Sequence, residues 1–309
     1  MNTSVICTVP TEEIQKLKGL GFLRDKTTAD CFNCRVITRN GRLTSSELSH
    51  IAEAARRFGS GIAAMTTRQT IEIQAIPYAN IDALIAFLKE AGLAPGGTGP
   101  KVRPVVSCKG TTCVFGLIDT YALSLAIHER FYLGYRSVKL PHKFKIAVGG
   151  CPNNCVKPDL NDVGIVGQCI VTPDTSLCRA CGNCKIISGC PMKSATLSDD
   201  KIAKGDTCSS CGRCLGKCPF GVFEKAEVGY AVYIGGRWGK VGSRGIRLSR
   251  LAKSEEEVLS LVESIILFYR AEGKAGERLA DTVARIGIEA VEAALYDGTY
   301  LERKAEILG

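Results

Sequence analysis

The chain has 309 residues, 45% hydrophobic and 23% charged, an ordinary balance for a globular protein with room for two or three domains. The N-terminus, MNTSVICTVPTEE, lacks the basic segment and apolar run of a signal peptide, and no apolar stretch approaches the ~18 residues of a membrane span. A formal charge of +9 would ordinarily point to an anionic partner such as nucleic acid. The sixteen cysteines redirect that inference. Disulfide scaffolds that rich in cysteine are usually short secreted chains, whereas most cysteines here fall in tight groups with metal-site spacing. A reducing, anaerobic cytoplasm fits better.

Residues 11–20 predict a short helix. CFNCRVI (31–37) predicts a strand followed by a turn at Asn40-Gly41. SSELSHIAEAARRFG (45–59) is amphipathic at helical spacing, with Ser45 or Ser46 available as cap and Gly59 and Gly61 as stop. GIAAMTTRQTIEIQAI (61–76) holds two strand-like parts, and 79–92 is another helix, so residues 1–92 read as an α+β unit. LAPGGTGP (93–100) is a linker. RPVVSC is a strand entering a cysteine motif, 114–131 is helical, and KFKIAVGG (143–150) is a strand ending at the next motif. Over 173–223 the periodicity fades and eight cysteines crowd together, the mark of an inserted metal module. YAVYIGG (230–236) resumes the strand pattern, and two helices follow at about 255–271 and 276–295. The host therefore runs over 93–172 and resumes over 224–309.

In the module, Cys178, Cys181 and Cys184 precede Cys190-Pro191, and Cys208, Cys211 and Cys214 precede Cys218-Pro219. Three thiolates on a tight loop suit one face of a [4Fe–4S] cube, the fourth ligand coming from the other run. Cys178, Cys181, Cys184 and Cys218 are thus assigned to one cluster, and Cys208, Cys211, Cys214 and Cys190 to a second. Zinc is the competing reading of any single CxxC pair. The doubled pattern favours electron transfer.

Two further pairs, Cys108/Cys113 and Cys151/Cys155, each at a strand end, could hold a third [4Fe–4S] cluster or a structural zinc. Here the chain resembles the sulfite/nitrite reductase family, in particular its small single-chain members similar to the catalytic subunit of anaerobic sulfite reductase. The matching segments are TTRQT (66–70), LPHKFK (140–145), GGCPNNC (149–155), NDVGIVG (161–167), YIGGRWGK (233–240) and GERLADTVARIG (276–287). The resemblance implies a ferredoxin-like N-terminal unit, a mixed α/β cofactor domain and, here, an inserted bacterial two-cluster ferredoxin. It also implies a sirohaem beside the third cluster, with Cys155 ligating both. Three clusters, each with four thiolates and a charge of about −2, would offset about six positive charges, and the carboxylates of a sirohaem would offset more. The chain departs from the family in three ways. The upstream pair commonly has one more intervening residue than the four here; Asn33-Cys34-Arg35 stands where Arg-x-Arg is frequent; and the module is absent from many members.

The implied reaction is six-electron reduction of sulfite to sulfide, or of nitrite to ammonia, fed by a low-potential donor protein or further electron-transfer subunits. A pure electron-transfer protein without sirohaem is the alternative from a different class. An anion on the cofactor's open face needs fixed cations, and the resemblance gives these roles to Arg35, Arg68, Lys143 and Lys145. Thr66, Thr67, Arg68, Gln69, Thr70, His142, Asn153 and Cys155 are implied cofactor contacts. Cys7, Cys31, Cys34 and Cys169 are left over; Cys31 and Cys34 form a CxxC pair that could be redox-active or zinc-binding, though burial as small hydrophobes is favoured. The chain has one copy of elements that larger family members duplicate. A homodimer or pseudo-symmetric heterodimer with shared sites is therefore expected.

Overall fold

The computed structural model describes residues 7–309; residues 1–6, part of the stretch on which the absence of a signal peptide is argued, lie outside it. The architecture is α+β. An N-terminal layer comprises α1 (Thr11–Leu20), β1 (Phe22–Arg24), β2 (Cys31–Val36), α2 (Ser45–Phe58), β3 (Ala63–Met65), β4 (Ile71–Pro77) and α3 (Ile81–Glu90). Its four strands are antiparallel in the order β1-β2-β4-β3. Phe22, Phe32, Ile51, Ile73, Leu84 and Leu88 fill its core. Neither expected serine caps α2. Thr44 does, because only Thr44 has a glutamate three residues on; its side chain and that of Glu47 satisfy each other's backbone N–H groups. Cys31 and Cys34 are buried in this core, and burial pushes both thiols up, aided by Asp25 and Asp30 at Cys31 and by Glu72 at Cys34. That is the state of inert packing residues.

The central sheet is mixed. It is built from β5 (Val106–Ser107), β6 (Ile146–Gly149), β7 (Val163–Thr172), β10 (Lys225–Ile234) and β11 (Ile246–Arg247), in the order β11-β10-β7-β6-β5. β5, β6 and β7 are parallel; β7 and β10 are antiparallel over ten pairs, from Val163↔Ile234 to Thr172↔Lys225. α4 (Thr120–Ile127) and α6 (Glu255–Glu272) contribute to the large core beside this sheet. The helix expected over 114–131 begins only at Thr120, where Asp119 accepts the N–H groups of Tyr121 and Ala122. It ends in a π-helical turn over His128–Leu133. The helix expected over 276–295 is split by Gly287, at φ 94°, into α7 (Leu279–Ile286) and α8 (Ile288–Tyr296), and two short helices follow, α9 (Thr299–Glu302) and α10 (Lys304–Leu308). Among the described residues no helix is long and apolar enough to cross a membrane.

Between β7 and β10 the chain makes its excursion. It carries a short helix, α5 (Lys185–Gly189), and a hairpin of β8 (Ala195–Ser198) and β9 (Lys201–Lys204). Its small core of Ile186, Ala195, Ile202, Val222 and Phe223 is shared with Cys169 and Val171 of β7.

Candidate cofactor and anion site

The parallel strands β5 and β6 end side by side, each running directly into a cysteine loop. Cys108 donates its N–H to Val148 O (3.1 Å), and Gly150 N–H donates to Cys108 Sγ (3.1 Å). The loops touch backbone to backbone at Gly110 and Gly150: a Cβ on Gly150 would stand 2.8 Å from Gly110 Cα, closer than real side chains come. Burial pushes the Cys151 thiol up; the Asn153 N–H opposes this, and the charges of Cys108, Cys155 and Cys113 add to the rise. Cys108, Cys113 and Cys155 therefore all lie within the electrostatic neighbourhood of Cys151, with Cys155 the most exposed of the four. Sites at the carboxyl ends of parallel strands are the rule in open α/β sheets. Asn154, at φ 59°, shapes the second loop and donates Nδ2–H to Asp159 Oδ1 (2.9 Å), while Asn153 is exposed.

The TTRQT segment is the tip of the β3–β4 hairpin, closed by Thr66 N–H to Thr70 O (2.9 Å) and by contact of the two hydroxyls (2.7 Å); Thr67 is exposed. Gln69, in the left-handed region at φ 56°, clips this tip to β5: its Nε2–H donates to Ser107 O (2.7 Å) and its Oε1 accepts from Ser107 N–H (3.0 Å). Arg68 departs from the role expected of it. Its guanidinium donates to Ile146 O (2.9 Å), to Asn161 Oδ1 (2.7 Å) and to Pro104 O. A fork already holding backbone carbonyls is a clamp between the N-terminal layer and the central sheet, and not a grip free for two substrate oxygens.

Around that clamp the fold gathers positive charge. Burial lowers Lys145 to a pKa of about 8; Arg68, Lys143 and Arg278 push the same way, and Asp162 opposes them. Lys143 is lowered by burial and then by Arg278 and Arg103, and His142 by burial and then by Arg278, Lys143 and Arg103. His142 Nδ1 accepts the Lys143 N–H (2.7 Å). Burial brings Arg103 down to about 10, with Arg35 adding to the effect; Arg35 itself leans on Glu72 (3.4 Å). The acid amid these cations is Asp162, whose side chain is 0% exposed and takes Arg278 with both oxygens (2.9 Å each) and the Lys145 N–H (2.9 Å). That last bond helps explain why the expected strand over 143–150 shortens to β6: the Lys145 N–H is spent on a side chain.

Arg103, Arg278 and Asp162 escaped the sequence reading. Arg278 and Asp162 lie in segments flagged by resemblance, but nothing local marks either of them, or Arg103, as a partner in a site assembled by the fold.

In the module, Cys190, Cys208, Cys211 and Cys214 line one cavity, and Cys169 of β7 is a fifth thiol on its wall. The Arg179 guanidinium lies 4.6 Å from the Phe220 ring centroid, which brings the loop of Cys178 beside that of Cys218. Among the described residues no group of three or more His, Cys, Asp or Glu forms a site for a single metal ion. A cubane makes a different demand, one thiolate per iron from a ring of soft donors, and the cysteine sets have that composition. The cationic end also fits an anionic group: Nε of Arg103 and Nε of Arg278 are buried without a hydrogen-bond partner, donors that a protein interior rarely leaves unused.

Residues 98–304 match the family described as nitrite and sulphite reductase 4Fe-4S domain, and residues 24–91 match the nitrite/sulfite reductase ferredoxin-like half domain. An uncharacterized protein of Methanocaldococcus jannaschii is 35% identical over 84% of this chain and 89% of its own length. The coenzyme F420-dependent sulfite reductase of the same organism is 30% identical over 85% of this chain, which spans only 40% of that enzyme. A dissimilatory sulfite reductase I shares the fold, with a TM-score of 0.69 at 21% identity over 86% of this chain and 69% of its own. With two family domains matched in tandem and the cysteine loops paired at the ends of adjacent strands, the chain belongs to the nitrite and sulphite reductase family.

Proposed function

We propose that the chain reduces sulfite to sulfide, using a sirohaem joined through Cys155 to a [4Fe–4S] cluster on Cys108, Cys113, Cys151 and Cys155, and drawing electrons through two further clusters in the module. The observation that carries this reading is the anion-ready cluster of Arg103, Lys143, Lys145 and Arg278, whose two lysines lie just before β6, the strand that runs into the Cys151 loop. The coenzyme F420-dependent sulfite reductase, at 30% identity over 85% of this chain, supports sulfite, and a nitrite reductase of Bacillus subtilis, at 24% over 87%, keeps nitrite as the second reading. When bound, the macrocycle and its cluster supply electrons and an iron to hold the anion.

The chain's own residues do the rest. Lys143 and Lys145 fix the anion's oxygens and hold the charge that builds on them. Lys145 can lose a proton near neutrality and regain it from solvent, the property wanted of a donor to oxygens that depart as water. Arg103 and Arg278 offer their unpartnered Nε–H groups to carboxylates of the cofactor or to substrate, and Asp162 aims Arg278 and the Lys145 backbone.

Cys155→Ser tests the reading. The parent is expected to bind about thirteen irons and to show the coupled absorption of sirohaem and cluster. The variant should lose the coupling, and Cys34→Ser should keep it. Normal coupled spectra in Cys155→Ser would remove that residue from the bridge. Faster turnover of nitrite than of sulfite by the parent would reassign the substrate.

We propose further that sites are shared between two chains. The lysines lie before β6 and the cysteines after it, so the cations and thiolates of one chain sit at opposite ends of a strand that spans about 13 Å. A second copy related by twofold symmetry could bring its lysines to the far face of the cofactor. Mixing Lys143→Ala chains with Cys155→Ser chains then yields dimers with one intact site, and activity should return. No recovery, with subunit exchange confirmed, means each chain builds its site alone.

A further inference from the structure

We infer that the cysteine module has a direction: its Cys190/Cys208/Cys211/Cys214 set is the inner relay to the host's cysteine loops, and its Cys178/Cys181/Cys184/Cys218 set is the outer port, where a small acidic one-electron carrier protein docks. The inference rests on the cofactor reading above and adds an order and a docking face to it.

The inner assignment comes from contacts. Cys151 and Asn153 of the host loop line the same cleft as Met192, Cys211 and Gly212 of the module. The Arg213 guanidinium stands 5.0 Å from the centroid of Phe115, which follows Cys113 in the first cysteine loop. Cys169 of β7 pairs in parallel with Cys211, and its N–H donates to Ser210 O (2.7 Å). Gly212, at φ 71°, lies so near this thiol that a Cβ there would stand 2.8 Å from Cys169 Sγ. The second cysteine run is thus fastened to the host strand and faces Cys151. Electron tunnelling falls steeply with distance, so the set in contact with the host is the one that can feed it.

The outer assignment comes from what surrounds the first run. Cys181 is exposed. Leu177 and Phe220 are 45% and 37% exposed, and the side chains of Leu177 and Glu224 both lie against Gly221, next to Phe220. Arg179 stacks on Phe220 (4.6 Å), and Lys201 Nζ donates to Cys178 O (3.0 Å). Two apolar side chains beside two cations make a docking face for a partner of opposite charge with an apolar centre: complementary charge steers the encounter, and a small dry contact brings the redox groups close. At each docking the carrier is oxidised by one electron and the outer set is reduced by one. Six such transfers, with protons drawn from solvent, balance one sulfite reduced to sulfide.

The test uses the cofactor-loaded protein and an acidic bacterial ferredoxin reduced beforehand, with stopped-flow absorbance for the rate of electron entry and freeze-quench paramagnetic resonance for which set is reduced. Arg179→Glu should slow second-order reduction at least about tenfold and weaken its salt dependence, while Lys89→Glu, the same charge reversal on the exposed face of α3, should not. In Cys211→Ser the carrier should still reduce the outer set at the parental rate, but the Cys108/Cys113/Cys151/Cys155 set should stay oxidised while the parent's fills. In Cys181→Ser entry itself should slow. Equal rates for Arg179→Glu and Lys89→Glu overturn the docking face, a result that does not depend on disturbing any ligand. Parental filling of the inner sets in Cys211→Ser overturns the order. A parent without three distinct cluster signals overturns the cofactor reading itself, and the inference with it.

Discussion

Lys145→Met is expected to cut kcat about a hundredfold, the loss seen when one preorganised donor to a developing oxyanion is removed. Lys145→Arg should fall between that variant and the parent, because a planar fork restores the charge but not the shape of an ammonium. A lysine on an exposed surface would show none of this. Lys145 is half-buried and surrounded by Arg68, Lys143 and Arg278, and burial first and those charges second bring its pKa down to about 8. The depressed value fixes the sign of the pH dependence. The ammonium is present below about pH 8 and is lost above it, so kcat/KM for the anion should fall as pH rises through that region. Bound anion favours the charged form, so the same limb in kcat should lie at higher pH. In Lys145→Arg the limb should vanish, since a guanidinium does not titrate there. An alkaline limb that survives in Lys145→Arg would assign the titration to another group.

Asp162→Ala should destabilise the protein by about 3–5 kcal/mol, the cost of removing one partner from a buried ion pair. With typical stabilities of about 5–15 kcal/mol, that is enough to lower the urea midpoint sharply. The carboxylate is fully enclosed and accepts two bonds from Arg278 and one from the Lys145 backbone. Without it, Arg278 is a buried cation among other cations. Pairing Asp162→Ala with Arg278→Met should recover part of the loss, because the stranded charge is gone. A shift below about 1 kcal/mol in the single variant, within the range of surface ion pairs, would show that water reaches the site and that Asp162 does not hold it together.

The two ends of the site differed in how legible they were. Cysteine spacing is local: a run such as Cys208-x-x-Cys211-x-x-Cys214 places three thiolates on one loop whatever the rest of the fold does, and the structure brings Cys190 to the same cavity. The helices α1, α2 and α6 were legible for the same reason, as periodic segments with local stop and start signals. The cationic end is assembled by tertiary structure. Arg103 precedes β5, Lys143 and Lys145 precede β6, and Arg278 precedes α7, and no periodicity links them. β1 is only three residues long and leaves no alternation to read. Arg68 shows the limit of carrying a role by motif: the residue is where the resemblance put it, but its donors are occupied by carbonyls that only the fold brings near.

The ten-pair ladder between β7 and β10 closes at Thr172↔Lys225, immediately at the base of the module. In topological terms the whole excursion is therefore the turn of a long hairpin. Its two ends are held one strand spacing apart, about 4.8 Å, so a chain could acquire or discard it in one genetic step without changing the register of the host sheet. Such a step would leave a scar at two positions. Cys169 and Val171, now 3% and 2% exposed beneath the module's core, would face water on a bare hairpin. Polar residues at the equivalent of positions 169 and 171, ahead of a tight turn, are the signature to look for in descendants that have shed the module.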